Sequence, residues 1–341
     1  MPGAGQTMIS AILERPRSFM LREGKIPRVD GDQVLIRVYY CGICGSDLHT
    51  FLGHNPFVAL PAILGHEMVG EVVATGSDVR RFRIGDRVTY EPTNHCGRCL
   101  YCAREQYNLC MNRTPTIGSF REFTVMREDQ LHRVPKAVPD QAAVLIEPLA
   151  SALHALDVCQ LERGQRVLVL GSGAIGILLT ASSKQRGAEY VAATNRSRPK
   201  LRIARRFGAD DAIHTPEPDC ADLLRKRVGE HRIDTVFDTV ATSALIGSAL
   251  SVLKKGCTLV IVGTPISMVE ADFSRILINE LHVAGSLKYR GNFPEAIEVL
   301  ANPSSDYSSL ISRTFALKDI QAAFEEVTAN SSAYIKCLIR P

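Results

Sequence analysis

The chain has 341 residues, of which 45% are hydrophobic and 22% charged, enough for two domains with a sizeable core. Its net charge of +4 is spread along the chain, which gives no basis for a nucleic-acid or membrane-surface partner. No apolar run approaches the ~20 residues a membrane helix needs. The opening MPGAGQTM lacks a basic stretch followed by an apolar one, so no secretory signal is read and a cytoplasmic protein with reduced thiols is expected.

Residues 32–40, DQVLIRVYY, alternate and predict a strand. Strand-like segments follow at 66–76, 83–92 and 121–135, broken by glycines, so the first 135 residues are expected to be mainly short strands and turns. Residues 140–158 have helical spacing with an expected interruption at Pro148. An apolar strand at 165–171 runs into GSGAIG and a helical segment. A strand at 189–195, a helix from Arg198, and buried strands at 234–240, 256–263 and 281–287 continue the alternation. Such alternation predicts a parallel sheet covered on both faces. Residues 288–341 return to mixed character, and no internal repeat is visible.

Between the early strands lies the densest chemistry. Cys96, Cys99, Cys102 and Cys110 follow the spacing C-x2-C-x2-C-x7-C. Two-residue gaps let neighbouring thiolates converge on one ion, and a longer loop returns the fourth. Four thiolates suit tetrahedral zinc and leave no open position, which makes the site structural; an iron–sulfur cluster is the competing reading. Cys41 and Cys44 form a further C-x-x-C, while Cys159, Cys220, Cys257 and Cys337 read as small buried hydrophobes.

Gly171, Gly173 and Gly176 spell G-x-G-x-x-G between an apolar strand and a helix opened by Ala174 and Ile175. That context points to a dinucleotide whose pyrophosphate rests on the helix N-terminus. Val240, Val262 and Gly263, at the ends of two later strands, are further cofactor-binding candidates. An NAD site usually ends its second strand in an acidic residue that bonds the ribose 2′-hydroxyl. Asn195 stands there instead, followed by Arg196, Ser197 and Arg198. Asn does not repel a 2′-phosphate, and the arginines can bind one bidentately, so NADP(H) is favoured over NAD(H).

Three separated patches complete the set: Cys44, Ser46, Asp47 and His49; His66 and Glu67; and Glu147. A thiolate, an imidazole and carboxylates can form a zinc site with an open position, but sequence spacing alone does not bring these patches together. The ordered series CGICGSDLH, GHE, the four-cysteine lobe, IEP and the glycine loop resembles the medium-chain zinc-dependent alcohol/polyol dehydrogenase family, in its sorbitol dehydrogenase-like branch. The resemblance implies an α/β fold: a doubly wound Rossmann sheet inserted in a mostly-β GroES-like catalytic domain. It implies a catalytic domain over 1–153 and 288–341 and a nucleotide domain over 154–287.

By the same resemblance Cys44 and His66 bind catalytic zinc, Glu147 supplies the polyol-branch carboxylate, and Glu67 is a ligand or a close neighbour of one. Ser46 and His49 match the family's proton relay. In LKYRGNFPEAIEVL, Lys288 replaces the usual substrate-contacting arginine and Tyr289 is retained. Thr50 stands where sorbitol-type members carry Tyr, and the stretch between Cys110 and Gly118 is short. The expected activity is hydride transfer between NADP(H) and a secondary alcohol or ketone of a polyol, sugar or cyclitol-like substrate. NAD(H)-linked polyol oxidation, a non-catalytic dinucleotide sensor and a zinc-independent quinone reductase are the alternatives. The apolar strand LHVAGSL, an edge strand in this family, implies a homodimer or homotetramer.

Overall fold

The computed structural model describes residues 6–114, 118–217, 220–229, 232–302 and 306–341. Residues 115–117 of the short stretch before Gly118 therefore lie outside the described residues. The chain forms two compact units, Met1–Glu147 with Phe293–Pro341, and Pro148–Asn292. The helix Ile146–Val158 carries the chain across the first boundary without a break.

The first unit is built on a seven-stranded sheet. Its strands run in the order Ile311–Ala316, Lys336–Arg340, Gln33–Ile43, Glu67–Thr75, Arg87–Tyr90 and Leu131–Arg133, with Phe123–Arg127 paired to Gln33–Ile43. All pairings are antiparallel except that of Ile311–Ala316 with Lys336–Arg340. Val34, Ile36, Val38, Met68, Val72 and Val88 fill one core with Phe51, Phe120 and Phe324. The helix Gly45–Phe51 is pinned there by Phe51, whose ring centroid lies 5.3 Å from that of Phe324. A separate hairpin, Thr7–Arg15 with Ser18–Lys25, was not legible as strands because SFMLREGK is half-exposed or exposed throughout.

The strand ends matter most for chemistry. Cys44 directly follows Gln33–Ile43, Glu67 opens Glu67–Thr75, and Lys336 opens Lys336–Arg340. Gly42 pairs with Glu67, and Cys337 with Ile43, so the register brings all three ends together.

The spacing over 140–158 predicts a helix interrupted at Pro148, and the structure corrects this. The break falls at Val144 and Leu145, between the helices Asp140–Ala143 and Ile146–Val158. Pro148 sits in the first turn of the second helix, where a missing N–H leaves no hydrogen bond unmade.

The second unit has six parallel strands in the order Asp211–His214, Tyr190–Asn195, Arg166–Leu170, Ile233–Asp238, Leu253–Ile261 and His282–Gly285. Counted along this unit the order is 3-2-1-4-5-6, the doubly wound dinucleotide-binding arrangement. Asp211–His214 escaped the sequence reading because four residues, two of them charged or polar, carry no periodic signal. Gly171 ends the first of these strands at φ +92°, and a Cβ on Gly176 would lie 1.8 Å from the Gly171 carbonyl oxygen. A Cβ on Gly173 would meet nothing within 4 Å.

These two glycines should therefore respond oppositely to the same change. Gly176→Ala forces the helix off the strand and should destabilise the unit by about 1–3 kcal/mol, lowering Tm by several degrees. Gly173→Ala should leave Tm unchanged and weaken only dinucleotide binding. Thermal denaturation with and without NADPH reads both.

Candidate functional site

The four clustered cysteines lie within one small lobe. Donor atoms of Cys96, Cys99, Cys102 and Cys110 all lie within 4.8 Å of one another. Cys99 Sγ is 3.5 Å from Cys102 Sγ and 3.9 Å from Cys110 Sγ. A tetrahedron with Zn–S near ~2.3 Å has edges of ~3.8 Å, so the pocket between the sulfurs fits zinc. The backbone N–H of Arg98 and the Asn112 amide pull the Cys96 thiol down to about 6. Burial and the neighbouring thiols push Cys102 up to about 12. Thiols that compete in this way for negative charge are relieved by a shared cation. Glu91 holds the lobe to the sheet: Tyr107 donates to its Oε2 at 2.8 Å, and His132 Nε2 bonds its Oε1 at 2.8 Å.

A second donor group is formed by Cys44, His66 and Glu67, again within 4.8 Å. Asp47 organises it from the first turn of the helix Gly45–Phe51. Its Oδ2 accepts from the Cys44 N–H at 3.0 Å, and its Oδ1 accepts from the Gly65 N–H at 3.3 Å. That Oδ1 also lies 3.5 Å from His66 Nδ1, which leaves Nε2 to face a metal. Burial pulls the His66 pKa down, but Asp47 and Cys44 outweigh it and raise the pKa well above the usual value.

Glu67 is fully buried, and its partner is a residue with no motif around it. Lys336 Nζ lies 2.7 Å from both Glu67 carboxylate oxygens and 3.2 Å from the Ile43 carbonyl oxygen. Glu147 is buried in the first turn of the helix Ile146–Val158, outside the compact donor group. Its charge still helps to raise the Lys336 pKa, together with the larger contribution of Glu67.

Ser46 is exposed at the start of the helix Gly45–Phe51. His49 lies one turn on, its Nδ1 buried with no hydrogen-bond partner among the described residues. Burial, then the neighbouring His54, lowers its pKa. Thr50 serves the helix itself: its hydroxyl donates to the Ser46 carbonyl at 2.9 Å and accepts from Asn55 at 3.0 Å.

In the second unit the predicted cofactor residues gather at the carboxyl ends of the strands. A Cβ on Gly171 would lie 2.5 Å from Thr239 Oγ1 and 2.8 Å from Val240 Cγ2. The N–H groups of Val262 and Gly263 donate to the Asp238 carbonyl at 2.9 and 3.0 Å, while Asp238 Oδ1 caps Val240 and Ala241 at 2.8 and 2.9 Å. Ala174 and Ile175 open the helix Ala174–Gln185 with Gly173 as its cap. Asn195 Oδ1 accepts from the Ser197 N–H at 2.8 Å, so its amide nitrogen remains as a donor. Arg196 and Arg198 are exposed, and His214 Nε2 bonds the Arg196 carbonyl at 3.0 Å. Lys288 is half-buried at φ 52°, and Tyr289 is fully buried.

Residues 30–136 match the alcohol dehydrogenase GroES-like domain, and residues 174–302 match the zinc-binding dehydrogenase family. The chain is 32% identical to sorbitol dehydrogenase of Bacillus subtilis over 345 residues, covering 98% of each. It belongs to the medium-chain zinc alcohol dehydrogenase family. A zinc-binding dehydrogenase from Sinorhizobium meliloti bound to NADP superposes at a TM-score of 0.90 with 30% identity, covering 98% of this chain and 100% of that one. An alcohol dehydrogenase from Escherichia coli complexed with NADH superposes at 0.92 with 27% identity, covering 99% and 100%.

The dehydrogenase is thus a zinc-dependent, NAD(P)-linked oxidoreductase acting on CH–OH donors, with a four-cysteine structural site and a Cys/His/Glu catalytic site. This sets aside the sensor and quinone reductase alternatives. Among its described residues no helix is long and apolar enough to cross a membrane. Asp47 belongs to the candidate patch after Cys44, and the structure gives it the role of organising the donors. Lys336 carries no signal in the sequence.

Purified dehydrogenase should contain two zinc ions per chain. Cys99→Ala should remove one and lower Tm, with hydride transfer at low temperature largely kept, because bound metal stabilises the fold of the lobe. Metal analysis and calorimetry check this; a single zinc that survives Cys44→Ala removes the catalytic site.

Proposed function

We propose that the enzyme interconverts a secondary alcohol and a ketone on a polyol, sugar or cyclitol-like substrate with NADP(H). Cys44, His66 and Glu147 would hold the catalytic zinc, with Glu67 beside them. When bound, zinc supplies Lewis-acid polarisation of the substrate oxygen, and the nicotinamide takes or gives the hydride. Ser46, exposed at the helix start, and His49, one turn on, would carry the hydroxyl proton away. Burial keeps the His49 ring neutral, and so able to accept that proton, further into the acid range. Lys288 and Tyr289 are proposed to meet the substrate hydroxyls.

The cofactor reading is carried by Asn195 and its neighbours. Relatives of similar likeness hold NADP in one case and NADH in the other, so kinship does not choose. Asn195 spends its oxygen on the Ser197 N–H, which leaves a neutral donor where an acid would repel a 2′-phosphate. Arg196 and Arg198 flank it in solvent.

A homo-oligomer, most simply a dimer, is proposed from the edge of the second unit. Among the described residues the strand His282–Gly285 leaves one side unpaired, and Phe273, Leu277 and Ile278 nearby in sequence are 76%, 77% and 74% exposed. An unpaired edge flanked by apolar surface invites a second copy. Light scattering that finds only a 37.4 kDa species at working concentration counts against it.

For the cofactor, Arg196→Ala or Arg198→Ala should lower kcat/KM for NADPH roughly ten- to a hundredfold and barely change it for NADH. Asn195→Asp should move preference toward NADH, because it adds repulsion against one cofactor and a ribose acceptor for the other. Equal losses for both cofactors would reduce the arginines to fold support, and a wild-type enzyme faster with NADH would defeat the NADP(H) assignment.

A further inference from the structure

The helix Arg198–Arg206 carries a charge pattern that its own stability argues against. Arg198, Arg202 and Arg206 are spaced four apart, so they line one face, and Arg205 lies beside them. All four are exposed, while Leu201 and Ala204 turn into the unit. Arg198 opens the helix, and the first turn holds no acidic residue, although a cation there opposes the helix dipole. Like charges four apart also repel one another. No neighbour relieves this. Among the described residues no carboxylate pairs with Arg198, Arg202 or Arg206, and Arg205 reaches only Asp211, at 3.6 Å. Asp211 is already taken by Arg227 at 2.6 Å, and Asp210 by Lys184 at 3.0 Å. Elsewhere on this unit the pairing is ordinary, with Arg186 on Asp157 and Lys254 on Asp234.

A row of cations that gains nothing within the fold is suited to an anion from outside. The row starts where the strand Tyr190–Asn195 ends, beside the position read as the ribose 2′ site, and runs away from it. Arg206 lies ~12 Å along the axis from Arg198, too far to bond a phosphate held there. Its charge still acts through solvent, since the Debye length is ~10 Å at 0.1 M salt and ~30 Å at 0.01 M.

We propose that the arginine face of this helix, with Arg202 and Arg206 as its outer members, is an electrostatic guide that draws the dinucleotide phosphate to its site and favours NADPH by rate of capture. The inference rests on the NADP(H) reading. NADPH carries about −4 charge and NADH about −2, so one field pulls harder on the first. Steering of this kind raises association rates and weakens steeply with salt, whereas release is governed by the contacts made in the complex.

Stopped-flow fluorescence of NADPH and NADH binding to the zinc-loaded enzyme, from about 0.01 to about 0.5 M salt, separates capture from release. Arg202→Gln/Arg206→Gln should slow NADPH association about three- to tenfold at low salt, flatten its salt dependence, and leave the release rate within about twofold. NADH association should slow by only about the square root of that factor, because the ligand carries half the charge. Arg202→Glu/Arg206→Glu should roughly square the factor for NADPH. Arg202→Lys/Arg206→Lys keeps the charge without the guanidinium geometry and should behave as wild type. Tm of the Gln variant should hold or rise slightly, because a repulsion has been removed.

An unchanged association rate and salt slope in the Gln variant overturn the guide. So does equal slowing for both cofactors with a lowered Tm, which makes the arginines helix support. A loss confined to release also overturns it, since Arg202 and Arg206 would then be direct ligands. Arg198→Ala separates the underlying reading: unchanged NADPH release there strikes the 2′-phosphate assignment, while the salt slope of the outer arginines still decides the guide.

Discussion

Gly42 stands opposite Glu67 in the sheet, and that pairing decides what the first unit can do. A Cβ at position 42 would lie 2.1 Å from Glu67 Oε2, so only glycine leaves room for the carboxylate to turn inward. Once inward, a fully buried carboxylate needs a counter-charge, because an unpaired ion in a dry interior costs several kcal/mol. The neighbouring strand supplies Lys336. The same register puts Cys44 one residue beyond the strand end and His66 just before Glu67. Asp47 then ties the two to each other through the Cys44 and Gly65 N–H groups. A slip of one residue would turn Glu67 to the opposite face of the sheet and dissolve the group.

The nucleotide unit depends on a constraint of the same kind. The strand Arg166–Leu170 meets its helix so closely that Gly176 almost touches the Gly171 carbonyl, while the space beside Gly173 stays open. The two contacts divide the labour of the glycine motif. One fixes the helix against the strand, and the other leaves the helix N-terminus accessible to a phosphate. The turn at Asn195 is held just as firmly, with Thr215 N–H on the Asn195 carbonyl at 3.1 Å and His214 on that of Arg196.

How much of this was legible follows from how local each device is. The four-cysteine lobe was readable because its ligands fall within fifteen residues, from Cys96 to Cys110, and spacing alone encodes the geometry. The glycine loop was readable for the same reason. The Cys44, His66 and Glu147 patches carried no such signal, since sheet pairing between distant segments brings the first two together; only kinship suggested the set. Lys336 was illegible on any ground. It lies 269 positions from Glu67, in a strand whose pattern reads as ordinary core. The break in the helices near Pro148 was misplaced because proline is disruptive inside a helix and harmless in its first turn. Thr50 stands out in the sequence only as a departure from the tyrosine of sorbitol-type members; that its hydroxyl spans Ser46 and Asn55 is a local arrangement that sequence does not encode.

The two metal sites of the chain differ in what surrounds them, and the difference follows from charge. In the lobe, four sulfurs close around the ion, and backbone and amide N–H groups offset the excess negative charge: the Cys96 thiol is lowered first by Arg98 N–H and then by Asn112. No full cation is needed, because the site lies near solvent and has no substrate to polarise. In the sheet-built site Cys44 and His66 are half-buried and Glu67 fully buried, and each extra carboxylate would weaken the metal's pull on a substrate oxygen. A buried carboxylate there requires compensation, and a full ammonium charge supplies more of it than peptide dipoles do. Lys336 meets that requirement at a position where the sheet, and not the metal, fixes its distance from Glu67. The electrostatic frame of the catalytic site is therefore set by the fold.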